Sequence, residues 1–156
     1  MTVATFNQFK DKFLDWTKTV IEEKQPSGFP ICPYARQARL NNEIQFIDVR
    51  EKIDRCVSGL NLNKYMIAIC WLGDEPIYTQ KYIDQKIVEF SNDPQHKNLL
   101  FFLSNKESGA FAKNFTNCIF VQIKSDIFSR REYLKTTNYY DNWPADYYKY
   151  ITGVDK

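Results

Sequence analysis

Cys32 stands directly before Pro33, and Arg36 and Arg39 follow within the next two helical turns of chain. A cysteine acts as nucleophile or ligand only as the thiolate, so what matters is how its neighbourhood treats its proton. Proline is favoured at the first position of a helix, where the N–H it lacks would find no partner anyway. The spacing therefore predicts Cys32 as an N-cap and 33–40 as a short helix. A sulfur placed there faces the positive end of the helix dipole and free main-chain N–H groups. Arg36 and Arg39, folded back, would stabilise the thiolate or hold a small anionic ligand, with Tyr34 and Trp143 as the candidate walls of a ligand site. The plainer reading stands beside this one. Free cysteine is among the most buried residue types, and Ile31 and Tyr34 can hold Cys32 as a small apolar side chain.

The elements that must position this stretch are legible. Pro26, Gly28 and Pro30 break whatever precedes them. Upstream, Phe6, Phe9, Phe13, Trp16 and Val20 recur at helical spacing, with Ile21 widening the stripe, so 5–24 reads as an amphipathic helix. Downstream, 43–50 reads as a strand. Its Ile44 and Phe46 point one way and Ile47 and Val49 the other, as in a strand covered on both faces. Asp48 has capping-box spacing to Glu51 and is expected to start a helix carrying Ile53, Cys56, Val57 and Leu60.

The rest of the chain continues the alternation. The apolar run 65–72 reads as the central strand and Thr79 as the cap of a helix over 80–91 with Tyr82, Ile83, Ile87 and Phe90 buried. Strands follow at 98–103 and 118–124, then a helix capped by Ser125 and running to about 136. The fold class expected is α/β, or α+β: about four strands, partly parallel, with helices packed on the sheet and an amphipathic helix before it. One domain over 1–156 suits the length. Six of the ten tyrosines fall between 133 and 150. The segment 137–156 is thus an aromatic tail, either packed on the sheet or used as an interface, with a short helix starting near Trp143-Pro144 and ending before Gly153.

Residues 32–34 look like the start of the Cys-Pro-Tyr-Cys motif of glutaredoxins. Ala35 occupies the place of the resolving cysteine, no Gly-Gly pair exists in the chain, and a helix and turn precede the motif where a glutaredoxin has a strand. A glutaredoxin assignment is rejected on those grounds. Residues 16–49, a Trp-containing helix, then Cys-Pro-aromatic-Ala, then a strand, resemble an uncharacterised bacterial family with a Leu-Cys-Pro-Phe-Ala motif. That resemblance implies no particular activity.

Composition narrows the classes further. There are 21 basic and 19 acidic residues, a net charge of +2, which does not suit a dedicated polyanion binder. Lys124, Arg130, Arg131 and Lys135 are interleaved with Tyr133 and the tail aromatics in the manner of a single-strand binder, but nearby acids dilute the field. The four cysteines, at 32, 56, 70 and 118, show no Cys-x-x-Cys spacing, and His96 is the single histidine and sits in a polar turn. No metal site and no cofactor is expected. Gly-x-Gly-x-x-Gly and Walker loops are missing. The carboxylates Asp48, Glu51 and Asp54 could pair as acid and base, though capping explains them more cheaply. The segment 104–109 could hold an anion on main-chain donors. No signal peptide or membrane span is read, so the location expected is cytoplasmic. The function expected is a non-catalytic protein that binds a protein partner or a second copy of itself. A thiol-centred enzyme or redox-sensitive binder built on Cys32 is the alternative, and nucleic-acid binding ranks last.

Overall fold

A computed structural model describes residues 5–22, 32–104, 117–152 and 154–156, except for the side chains of Val20 and of four tail residues (147 and 150–152). In chain order the elements are α1 (Phe6–Trp16), which continues as a π turn over Thr17–Ile21, α2 (Ala35–Leu40), β1 (Ile44–Asp48), α3 (Arg55–Ser58), β2 (Ile67–Trp71), α4 (Gln80–Asn92), a 3-10 turn (Pro94–His96), β3 (Leu99–Ser104), β4 (Cys118–Ile123), α5 (Lys124–Lys135) and α6 (Ala145–Thr152). The four strands form one mixed sheet in the order β1-β2-β4-β3. β1 and β2 are parallel, while β4 runs antiparallel to both of its neighbours. The expected α/β architecture, a partly parallel four-stranded sheet with an amphipathic helix ahead of it, is the one observed.

Parity along the strands decides the layers. Ile47, Val49, Ala68, Cys70, Leu72, Ile119 and Val121 turn to one face, where Ile53 and Cys56 from the α3 region and Ile83 and Phe90 of α4 cover them. Ile44, Phe46, Ile69, Trp71, Cys118 and Phe120 turn to the other, where Phe9, Phe13 and Trp16 of α1 pack. The helical stripe read in the sequence is thus the core face of α1. Thr5 begins that helix with a full capping box to Gln8, and Thr79 caps α4 through the Tyr82 N–H at 3.1 Å.

Several local expectations change. Asp48 does not cap a helix. It ends β1, and its carboxylate takes the Arg50 N–H at 3.1 Å and the Arg50 guanidinium at 2.9 and 2.7 Å, so α3 begins only at Arg55, after the Asp54 position. Ser125 lies inside α5 rather than capping it. Its N–H meets Asn98 Oδ1 at 3.4 Å, a cap supplied from just before β3, which sequence-local reasoning does not see. Tyr82, expected in the core, is 40% exposed, and Phe128 is 55% exposed. His96 is not a solvated loop residue. Its ring packs edge-on to Phe101 and its Nδ1 lies 3.2 Å from the Phe90 carbonyl. The turn read at 26–30 and the anion loop read beyond Ser104 fall outside the described residues.

Candidate functional site

The end of α1 sets up everything near Cys32. Thr17 and Thr19 turn their hydroxyls back onto the carbonyls of Phe13 and Asp15, at 2.8 and 3.0 Å. Such back-bonding competes with the helix ladder and loosens it. The last turn widens accordingly, with the Glu22 N–H reaching the Thr17 carbonyl at 2.9 Å. The Ile21 carbonyl then accepts the Cys32 N–H at 3.3 Å, and the Glu22 carboxylate accepts the Arg39 guanidinium at 2.5 and 2.8 Å. Glu22 and Arg39 are both largely buried, so this bidentate pair clamps α2 against α1.

Cys32 is not the N-cap of a helix that starts at Pro33. The chain turns once through Pro33, and α2 begins at Ala35 with Tyr34 as its cap residue. The sulfur still meets main-chain donors, from Tyr34 and Ala35, and a nearby cation. That cation is Arg130 of α5, not Arg36 or Arg39. Burial outweighs all three influences and pushes the Cys32 thiol above its ordinary value. Arg36 is exposed, and Arg39 is committed to Glu22. The triad expected from spacing is therefore not assembled: Glu22 holds Arg39 away from the sulfur, and Arg36 faces solvent.

Tyr34 and Trp143 do come together, though as packing. Leu134, Tyr139, Tyr140 and Tyr148 form a buried cluster with Tyr34 and Trp143 against it. Trp143 lies 4.8 Å from the Tyr140 ring and 5.4 Å from Tyr139, centroid to centroid, and Tyr140 meets Tyr148 edge-on at 5.1 Å. The Arg130 guanidinium sits 5.1 Å from the Tyr34 ring. Tyr139, Tyr140 and Tyr148 are buried in this arrangement, while Tyr133 is 63% exposed. The carboxylates at the end of β1 and just before α3 are also occupied separately. Asp48 is held by Arg50, whose hydrogen bonds keep its carboxyl below the usual range, and Asp54 pairs with Lys86 at 2.9 Å. The Arg50 guanidinium in turn lies 4.6 Å from the Trp71 ring centroid. Gly73 follows with φ of +93°, and a Cβ there would come within 3.2 Å of the Arg50 side chain. Among the described residues no group of three His, Cys, Asp or Glu is placed to hold a metal ion.

A site that sequence reasoning missed lies at the free edge of β1. A cleft of about 870 Å³ opens between the outer flank of α1, the end of α2 and the strand, and it is touched by Ile44, Gln45 and Phe46. Successive side chains of a strand point to opposite faces, so three residues in a row can line one cleft only if it runs along the strand's edge. Asn42, with φ of 54°, ends α2 and lets the Glu43 N–H return to the Ala38 carbonyl at 2.8 Å. The chain thereby enters β1 directly from the cleft wall. On the far flank, Gln45 donates to the Gly59 carbonyl at 2.7 Å and accepts from the Asn61 N–H at 2.9 Å, which draws the loop carrying Lys64 and Tyr65 beside the strand. Nothing local in the sequence announces this cleft, because it exists only once β1 is an outer strand.

No family model matches the chain, and no curated protein or solved structure matches it either. Among the described residues no helix is long and apolar enough to cross a membrane.

Proposed function

We propose that this is a non-catalytic binding protein that works in the cytosol and engages a protein partner through the cleft beside β1. The observation that carries the reading is the cleft itself: it combines an outer strand, a charged helix flank and a polar loop in one concavity. The cytosolic placement rests on the four cysteines, which are free thiols. The test is a photo-crosslinking residue at Lys18, on the exposed rim of the cleft, with the same probe at Glu132 on α5 as control. A discrete adduct from Lys18, identified by mass spectrometry, competed by unlabelled protein and missing from Glu132, supports the reading. Identical adducts from both positions, or none from either, overturn it.

The thiol-centred reading keeps one supporting observation, the two main-chain donors and Arg130 around Cys32. The sulfur's raised proton affinity counts against a resting thiolate. Nucleic-acid binding through the tail loses the three tyrosines that pack into the aromatic cluster, since a buried ring has no face left for a base.

A further inference from the structure

The outer edge of β1 has a register that can be read from its inner one. The Glu43 carbonyl accepts from the Met66 N–H at 2.7 Å, and the Val49 N–H donates to the Trp71 carbonyl at 3.0 Å. The strands pair in parallel with Ile44 opposite Ile67. Main-chain groups alternate sides along a strand, so 43, 45, 47 and 49 turn theirs to β2. Ile44 and Phe46 turn theirs outward, into the cleft, and among the described residues none bonds to them. At the far end the edge is closed, because the Arg55 guanidinium donates to the Asp48 carbonyl at 2.9 Å. The open stretch is short, apolar and unguarded: Ile44-Gln-Phe-Ile47 contains none of the Lys or Pro residues by which exposed edges are commonly blunted.

The other edge of the sheet differs. Antiparallel pairing of β3 with β4 turns the main-chain groups of Leu99, Phe101 and Leu103 outward, and Leu103 already has an interaction of its own. Among the described residues β1 is thus the edge with a cleft alongside and unclaimed donors and acceptors facing into it.

The charges say what kind of strand would fit. Lys10, Lys18 and Lys64 line the cleft against two acids, Asp11 and Asp15, while the Arg39 in its wall is neutralised by Glu22. On α1, Lys10 and Leu14 are half-buried while Asp11, Asp15 and Lys18 are exposed, so Lys10 lies nearer the strand and the two acids share the outer rim with Lys18. Lys64 stands on the opposite flank, its ammonium 5.2 Å from the Tyr65 ring. Side chains of an added strand would alternate between these two flanks, and each flank presents a lysine beside an apolar contact, Leu14 on one and Tyr65 on the other.

We infer that the cleft binds an acidic peptide segment in extended conformation, which adds to β1 as a fifth strand through the main-chain groups of Ile44 and Phe46, with carboxylates on Lys10 and Lys64. This rests on the partner-binding reading and names the chemistry of the partner at that same site. Main-chain bonding supplies register, and the lysines select acidic over basic sequences.

The experiment pans a displayed library of random dodecapeptides on the 156-residue chain, then measures one selected peptide by fluorescence anisotropy. Enrichment of Asp and Glu in alternation with apolar residues is expected. Lys10→Glu and Lys64→Glu should each weaken binding about tenfold, with unchanged urea melts showing that the fold persists. A scan of N-methyl groups along the peptide should abolish binding at every second position, because only alternate N–H groups enter the ladder. Peptides that bind in the cleft without that period overturn strand addition but leave the partner-binding cleft standing. Selection of basic or Pro-rich peptides, or indifference to both lysine reversals, overturns the acidic occupant. A stable dimer in sedimentation that the peptide cannot dissociate also overturns it, since a second copy then holds the edge.

Discussion

On the α1 face of the sheet, Phe6, Phe9, Phe13, Trp16, Phe46, Trp71 and Phe120 pack as one aromatic cluster. Phe9 and Phe13 link its rings, and Trp71 stacks on Phe9 at 4.8 Å with parallel planes while Arg50 approaches the Trp71 ring. On the opposite face, branched aliphatics from all four strands meet Ile53, Ile83 and two thiols, with Phe90 and Phe101 at the margin. The two faces are built from the same strands by alternate residues, yet they solve the packing problem differently. A single long helix must cover most of its face with few residues, so each residue there is a large ring with a large area to bury. The other face is covered by two elements, α3 and α4, and smaller side chains fill most of it. The aromatic face also borders the cleft, through Ile44 and Phe46.

The comparison is sharpest in large-to-small substitutions. Trp71→Ala should destabilise by about 4 kcal/mol and Ile53→Ala by about 3 kcal/mol, measured by urea denaturation. If the Ile53 variant proves the less stable, the aromatic face is not the stronger of the two.

Thiol accessibility separates the faces next. Cys56 and Cys70 lie in the aliphatic core and Cys118 beneath α1, all without exposure, whereas Cys32 is partly exposed at the edge of the aromatic cluster. A hydrogen bond with Cys56, together with burial, drives the Cys70 thiol well above its usual value, and burial raises Cys118 to about 12. In the native protein Cys32 should be alkylated on the order of a hundredfold faster than the other three, whose reaction waits for opening of the core. Its rate should keep rising as pH climbs past the ordinary thiol value, because its proton is held more tightly than usual. A rate already at plateau at neutral pH would reverse this and restore the thiolate reading.

Asp48 links the two faces at the carboxyl end of β1. Arg50 holds its carboxyl below the usual range, so the folded state gives up that proton more readily than the unfolded chain. The stabilisation is present above the ordinary carboxylate value and is lost as pH falls through the lowered one. Asp48→Asn should therefore cost about 1 kcal/mol at neutral pH and much less near pH 2. Equal losses at both would mean that the ion pair contributes nothing.

The helix caps should show the smallest difference. Thr5→Ala at the start of α1 and Thr79→Ala at the start of α4 should each cost about 1 kcal/mol, despite the different faces those helices cover. A clearly larger loss at Thr5, by thermal melting, would show that the reciprocal Gln8 contact adds to the cap.

The sequence by itself determined the elements whose signal is local and periodic. The stripe from Phe6 to Trp16, the apolar run that became β2, the Thr79 cap and the two-sided pattern of Ile44 to Val49 all appear where the residues said they would. Each depends on neighbours within a few positions, and side-chain periodicity of 3.6 or 2 is visible without any contact. What depended on distant partners was decided only in three dimensions. Arg39 was taken by Glu22, which lies 17 residues away, the start of α5 by Asn98, and the tail tyrosines by one another and Tyr34. The cleft was the least legible feature. Its floor is ordinary strand sequence, and only the placing of β4 and β3 on the far side of β2 leaves β1 outermost, with the main-chain groups of Ile44 and Phe46 turned outward into the cleft. Charge and periodicity say which residues a strand contains. Which of its edges stays open is a property of the whole sheet.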